Sequence, residues 1–210
     1  MKYFFRFLFF FPLFSFTQNT LEKQLDSIST SEDAATFLKT YKPEEGKLYT
    51  FNKEKHKTKL AAELFKLSKG SKKVIKTKFK KTYYKIIDKA EVEHCRFNII
   101  VLDGKKTSNY SAKIIRNKIL SQYNEGYGFK DLAKEHSYGP TAKKGGDTGW
   151  IKLGEFSETF DEHAFNENHA INAVFTIDDL KNKKYYIVMK TQDTKPIEEI
   201  TVLKFTEEIN

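Results

Sequence analysis

Few side chains in this sequence can do covalent or metal chemistry. Cys95 is the only cysteine. It rules out an internal disulfide, a cysteine-built zinc site and a two-cysteine redox function. His136, His163 and His169 lack a metal-ligand spacing with nearby acids. No metal or cofactor is expected. What remains is non-covalent chemistry. Phe156 and Phe160 stand one helical turn apart, so both can face one pocket if their helix begins early. A lysine-rich stretch, 66–85, carries nine lysines, with no acid between Glu63 and Asp88.

The elements that must position these residues follow from pattern. From Leu21 to Tyr41 the chain is polar with a helical period, and Ser31-Glu32-Asp33 forms a cap before Ala34, Phe37 and Leu38. Pro43 and Gly46 break that helix, and Leu48–Phe51 makes a short strand. Leu60, Ala61, Leu64 and Leu67 mark an amphipathic helix that stops at Gly70. Val74–Thr77 and Tyr83–Ile87 are strands joined by a lysine turn. Farther on, Phe97, Ile99 and Val101 alternate with Asn98, Ile100 and Leu102, a strand with two usable faces. Asp103-Gly104 turns the chain. Thr107 or Ser108 caps a long helix carrying Ala112, Ile115, Ile119 and Tyr123. A short helix with Phe129, Leu132 and Ala133 follows. A loop from Gly139-Pro140 then ends in Gly145-Gly146-Asp147-Thr148-Gly149. After the strand at Trp150-Ile151, Ser157 caps a third helix with Phe160 and Ala164. Val174–Thr176 and Tyr185–Lys190 are strands, and Val202–Phe205 is a candidate for one more.

Bulk properties set the class. The chain has 210 residues, 39% hydrophobic and 31% charged, which fits a soluble globular protein. Its start differs from the rest. Lys2 and Arg6 precede an uncharged run from Phe7 to Phe16. That run is shorter than the roughly 20 apolar residues a spanning helix needs. Ser15 and Thr17 place small residues before a cut at Gln18, the pattern of a secretory leader. No later segment is apolar enough to cross a membrane. The net charge of +9 falls to +7 once the leader is removed. The lysine stretch reads as a solvated face that can make weak contacts with an anionic envelope surface. It lacks the interleaved arginines and stacking aromatics of nucleic-acid grooves, so no nucleic acid is expected.

Three ordered motifs carry a resemblance. They are Gly126–Ser137 with Phe129, Leu132 and Ala133, then Ala142–Trp150 around the glycine turn, then Glu158–Phe165 with Phe160 and Ala164. In order and spacing this stretch resembles the parvulin family of peptidyl-prolyl cis-trans isomerases. The likeness runs from about Glu91 to Asp193. It implies an α+β fold, a four-stranded antiparallel sheet flanked by helices, with a peptide groove on the sheet. The implied division is a leader (1–17), a smaller N-terminal α/β extension (18–90), the parvulin-like domain (91–193) and a C-terminal tail (194–210).

The reaction so implied needs neither a nucleophile nor a metal. Rotation about a prolyl peptide bond is opposed by about 18–20 kcal/mol of lost amide resonance. The twisted amide has shed its zwitterionic form, so an apolar pocket favours it, and hydrogen-bonding groups manage the carbonyl and the nitrogen. By the resemblance, Thr148, Phe156 and Phe160 form the proline pocket, with Thr148 where the family usually has leucine. Asn98 and Tyr186 match the family's two histidine positions, and Thr176 its small hydroxyl. His94 is four residues too early and would serve only if the strand bulged. The family's loop Cys or Asp falls at Tyr138 or Gly139.

A partial echo is also present. Leu64–Thr77 followed by Tyr83–Asp88 compares with Ala164–Thr176 followed by Tyr185–Val188, as a shortened parvulin-like repeat would. The resemblance implies an exported isomerase acting on Xaa-Pro bonds of unfolded or exported chains. The alternative is a non-catalytic periplasmic chaperone or peptide-binding module of the same fold. A third class, a basic protein that docks on anionic envelope polymers, would have no use for Phe156 and Phe160. Export is checked by intact-mass analysis of the native protein. The expected species begins at or near Gln18 and is soluble outside the cytoplasm; uncut Met1 in a membrane pellet would contradict it.

Overall fold

The computed structural model describes residues 23–106, 108–166 and 168–209. The leader and its cleavage site lie outside the described residues. In chain order the elements are α1 (Ser31–Tyr41), β1 (Glu44–Asn52), α2 (Lys59–Phe65), β2 (Lys72–Lys76), β3 (Lys80–Asp103), α3 (Asn109–Asn124), α4 (Phe129–His136), a 3₁₀ turn (Ala142–Lys144), β4 (Asp147–Ile151), α5 (Glu158–Ala164), β5 (Val174–Asp179) and β6 (Lys184–Glu208). The chain divides into two compact units. One is Glu91–Glu198. The other takes the described residues before Glu91 together with those from Glu199 onward.

Within Glu91–Glu198 four strands lie in the order β4-β3-β6-β5. β4 runs antiparallel to β3, with Cys95 opposite Ile151 and Arg96 opposite Trp150. β5 runs antiparallel to β6, with Ile177 opposite Tyr186. β3 and β6 are also antiparallel. The Gly104 amide donates to the Lys183 carbonyl at 2.7 Å, and the Thr191 hydroxyl to the Arg96 carbonyl at 2.9 Å. The pleat of two residues sends alternate side chains into two cores. Phe97, Ile99, Val101, Tyr186, Val188 and Ile177 pack under α5 through Phe160 and Ala164. Ile100, Leu102, Tyr185 and Ile187 pack under α3 and α4 through Ala112, Ile119, Phe129 and Leu132. Two of the three helices here start at a serine cap, whereas α4 begins at Gly128 with no side-chain cap bond. Ser108 Oγ accepts from the Ser111 amide, and Ser157 Oγ from the Phe160 amide. Ile115, expected on the inner face of α3, is exposed, and Arg116 takes a buried place beside Ala112 and Ile119.

The other unit also has a sheet with a core on each face. Its strand order is β1-β6-β3-β2. Tyr84, Ile86, Ile200 and Val202 pack on α2 through Ala61, Leu64 and Phe65. Tyr83, Ile87, Leu203 and Phe205 pack on Ala34 and Phe37 of α1, with Leu25 and Ile28. The capping box at Thr30 and Asp33 fixes the start of α1. Two sequence expectations change here. Tyr83–Ile87 and Phe97–Leu102 are parts of one strand, β3. Residues 194–210, set apart as a tail, are strand through Glu208. Ile200 and Val202 fill one core while Leu203 and Phe205 fill the other, so this segment is buried on both faces.

The glycine turn approaches β3 too closely for a side chain. The Ile99 amide donates to the Gly146 carbonyl at 2.9 Å. A Cβ at Gly146, whose φ is +84°, would lie 2.6 Å from the Ile99 carbonyl oxygen. Both space and φ therefore demand glycine. Gly146→Ala should destabilise Glu91–Glu198 by about 1–3 kcal/mol, read as a lower urea midpoint at unchanged m-value.

Candidate functional site

On the α5 side of the sheet a cavity of about 740 Å³ opens. Its floor is Ile99 and Val101 of β3 and Tyr186 of β6. Glu155, Phe156 and Ser157, just before α5, form one wall, and Tyr138 to Thr141 form another. Asp103, Lys105, Asn182 and Lys184 line the remainder. The Tyr138 wall is held to β3 by its backbone. The Tyr138 amide donates to the Val101 carbonyl at 2.6 Å, and the Val101 amide to Ser137 Oγ at 2.9 Å.

Phe156 is half-buried and stacks on Phe160, with centroids 4.4 Å apart at 24°. Phe160 is fully buried. It meets Phe97 and Tyr186 edge-on, at 6.1 and 5.1 Å. Phe156 is therefore the ring presented to the cavity, and Phe160 is the ring that supports it. Tyr186 is 2% exposed. Burial, followed by the negative charge of Asp179, pushes its phenol up to about 12. At neutral pH the phenol is protonated and can donate.

Beneath the wall lies a carboxylate that the sequence reading did not single out. Asp179 is fully buried. It accepts from Ser157 Oγ at 2.6 Å and from Asn182 through Nδ2 at 2.9 Å and the backbone amide at 3.1 Å. Burial alone would raise its pKa. The bonds from Ser157 and Asn182, with Lys184 nearby, outweigh burial and hold the carboxyl below its usual range. The same Ser157 hydroxyl caps α5. One buried charge thus ties together the end of β5, the start of α5 and the β5–β6 turn.

The other residues predicted from the sequence lie elsewhere. Asn98 is buried but alternates with Phe97 and Ile99 and faces away from Tyr186. It lines a small cavity of about 150 Å³ with Arg96, Lys130, Asp147, Thr191 and Gln192. Phe97, like Ile99 and Val101, is on the face of that strand that shares a core with Tyr186 and Phe160. Thr176 is exposed and pairs with Ile187, on the face away from Tyr186. Thr148 is taken up by backbone. Its hydroxyl accepts from the Phe97 amide at 3.1 Å and reaches the Gly149 carbonyl at 2.7 Å. This spans the irregular register between Arg96 and Asn98. Asp147 of the glycine turn is gripped by Arg96, whose Nε lies 2.9 Å from Oδ1, and it accepts from the Gly149 amide at 2.9 Å. The Arg96 contact holds the Asp147 carboxyl below its usual value. Tyr186 and Phe156 are brought together at the cavity, with Phe160 behind them; Asn98, Thr176 and Thr148 are not.

A four-stranded antiparallel sheet, a helix on one face over an aromatic cavity and a glycine turn pinned to the first strand define a parvulin-type peptidyl-prolyl isomerase fold. Residues 80–195 match the PPIC-type PPIASE domain family, and the chain belongs to it. Among curated proteins, the foldase protein PrsA of Bacillus subtilis is 34% identical over 100 residues, 47% of this chain and 30% of that protein. The chaperone SurA of Colwellia psychrerythraea is 34% identical over 79 residues, 37% of this chain and 18% of that protein. This chain therefore spans less than a third of either relative. The crystal structure of PrsA from Bacillus subtilis is 31% identical, covers 48% of this chain and 35% of that chain, and has a TM-score of 0.37. A PpiC-type peptidyl-prolyl cis-trans isomerase domain is 21% identical, covers 50% of this chain and 94% of that one, and has a TM-score of 0.43.

The Asp179 network gives a signed pH effect. A carboxylate whose folded pKa is depressed stabilises the fold above its unfolded value, about 3.9. That contribution is lost as pH falls through the folded value. Asp179→Asn should lower stability at neutral pH, by roughly 1–3 kcal/mol for an unbalanced buried hydrogen-bonded group. Its urea midpoint should also fall less steeply than the wild type's on acidification below about pH 4.

Proposed function

We propose that this chain is an exported peptidyl-prolyl isomerase that acts on Xaa-Pro bonds of unfolded or newly exported polypeptides. The observation that carries this reading is a protonated phenol, Tyr186, on the floor of an aromatic cavity walled by Phe156. Phe156 holds the proline ring by apolar burial, backed by Phe160. As the amide twists, its nitrogen regains a lone pair and becomes an acceptor. The Tyr186 hydroxyl, which has no hydrogen-bond partner among the described residues, is the donor for it. That bond is stronger in the twisted state than in the planar one, and such a difference accelerates the step. Asp179 acts one layer out, by holding Ser157 and Asn182 at the cavity edge. The similarity to a foldase and a chaperone supports polypeptide substrates.

A second reading, a peptide-binding chaperone of the same fold, is favoured by one observation. Asn98 and Thr176 face away from the cavity, which leaves it fewer polar groups than the resemblance implied.

The domain reading extends to the other unit. We infer that it is a non-catalytic relative of the same fold. In both units a short capped helix, a hairpin and two aligned tyrosines recur in order: α2, β2, β3 with Tyr83 and Tyr84, then α5, β5, β6 with Tyr185 and Tyr186. The place of the first strand is taken by the end of β6. Lys57 and Ala61 stand where Phe156 and Phe160 stand, relative to the caps Thr58 and Ser157. The rings that would hold proline are thus missing from it.

NMR exchange spectroscopy on a proline peptide reads binding and isomerisation together. Phe156→Ala should weaken binding about tenfold, the cost of one lost buried ring. Tyr186→Phe should leave binding within about threefold but slow exchange by roughly a hundredfold, the lower range for a positioned proton donor. Asn98→His should change neither. Wild-type binding without any exchange enhancement would establish the chaperone reading instead.

A further inference from the structure

The hairpin of β2 and β3 ends in a feature that the isomerase reading leaves unused. Phe79, at its tip, is 66% exposed. Its backbone is nonetheless well held. The Thr77 amide donates to the Lys80 carbonyl at 2.8 Å, the Lys80 amide to Thr77 Oγ1 at 3.1 Å, and the Ile209 amide to the Phe79 carbonyl at 2.8 Å. An ordered turn therefore presents a bare aromatic ring to solvent.

The charges around that ring are arranged unusually. Several lysines of the hairpin have partners: Lys72 with Asp26 at 2.9 Å, Lys73 with Glu63 at 3.1 Å and Lys80 with Glu44 at 3.2 Å. Lys85 is buried and donates to the Leu25 and Asp26 carbonyls. Lys76, Lys78 and Lys81 have no acidic partner among the described residues. Lys76 sits directly opposite Lys81 in the strand register. Like charges directly opposed in a sheet repel. Lys78 Nζ lies 5.4 Å from the Phe79 ring centroid. Of the acids nearby, Glu207 accepts from the Tyr83 hydroxyl, Glu45 pairs with Lys204, and Glu208 and Glu45 act on Lys80 from a distance; none of them pairs with Lys76, Lys78 or Lys81.

We propose that this hairpin tip is a docking element for an anionic lipid bilayer surface. Three uncompensated lysines meet the negative surface potential, and Phe79 enters the interfacial layer where aromatic rings are favoured. The ring decides between lipid and a soluble anionic polymer. Lysines alone would serve a polymer, whereas an exposed apolar ring gains only where there is hydrocarbon to enter. No helix among the described residues is long and apolar enough to cross a bilayer, so this contact would be peripheral. One ring and three charges give weak, reversible attachment.

The test is co-sedimentation of the full mature chain with vesicles of phosphatidylcholine, alone or mixed with phosphatidylglycerol. Binding is expected only to the mixed vesicles and should be released by salt, because exposed charges are screened over about 8 Å at physiological ionic strength. Phe79→Ser should weaken it roughly tenfold. Lys76→Gln with Lys81→Gln should weaken it roughly fivefold per charge. Phe79 and Lys76 are exposed and Lys81 is half-buried, and thermal melting checks that the fold is kept. Absence of binding to mixed vesicles would overturn the proposal. So would equal binding to neutral vesicles. A Phe79→Ser variant that binds mixed vesicles like the wild type, together with wild-type binding to soluble polyglutamate, would assign the site to anionic polymers.

Discussion

β3 and β6 are buried on both faces, and the two-residue pleat of these strands decides what each side chain can do. On β3, Phe97, Ile99 and Val101 go to the cavity side, while Asn98, Ile100 and Leu102 go to the other. On β6, Tyr186 goes to the cavity side and Tyr185 away from it. No rotamer can move a side chain across a sheet. The chemistry of the cavity is therefore fixed by parity before any finer geometry applies. The wall opposite α5 depends on the same strand, since the loop from Ser137 to Gly146 is hung from the amides and carbonyls of Ile99 and Val101.

Within that frame, Asp179 is the polar counterpart of the aromatic stack. A fully buried carboxylate is costly unless its acceptor capacity is used. Here a serine hydroxyl, a carboxamide and a backbone amide use it. Burial, and after it the Asp179 charge, raises the phenol of Tyr186, a group already protonated at physiological pH. The cavity thus sets the apolar Phe156 wall against the protonated Tyr186 phenol, with Asp103, Lys105, Glu155 and Lys184 at its margin and Asp179 held behind Ser157 and Asn182.

Much of this was legible in the sequence because it is local. The caps at Ser108 and Ser157, the glycine turn at 145–149 and the order of three motifs are all encoded within a few residues. The same local signals point to Phe156 and Tyr186, and both line the cavity. Asn98 is matched through a short apolar run, which aligns equally well one residue either way, and each such step moves a side chain to the other face; the structure puts Asn98 on the face away from Tyr186. Thr148 looked like pocket wall, but a hydroxyl beside an irregular strand pairing bonds to backbone first. Phe160, expected in the pocket wall, lies one layer behind Phe156. Asp179 gave no local signal, because its partners come from 22 residues before and three residues after it. The strand at 199–206 was only half-seen for a similar reason. It pairs with Glu44–Asn52, whose residues lie about 150 positions earlier in the chain.

That last pairing has a consequence for how the chain matures. Glu91–Glu198 is contiguous, so every strand it needs is available once its own stretch has been delivered. The remaining unit is split around it. Its β1 finds its hydrogen-bonding partner only in the final strand, and Ile200, Val202, Leu203 and Phe205 complete both of its cores. During synthesis the earlier part of that unit has both cores open until residues 199–208 arrive. The isomerase domain is encoded inside that waiting period and can be folded before its host is. Loss of residues 199–208 would thus injure a unit whose other elements all precede residue 91.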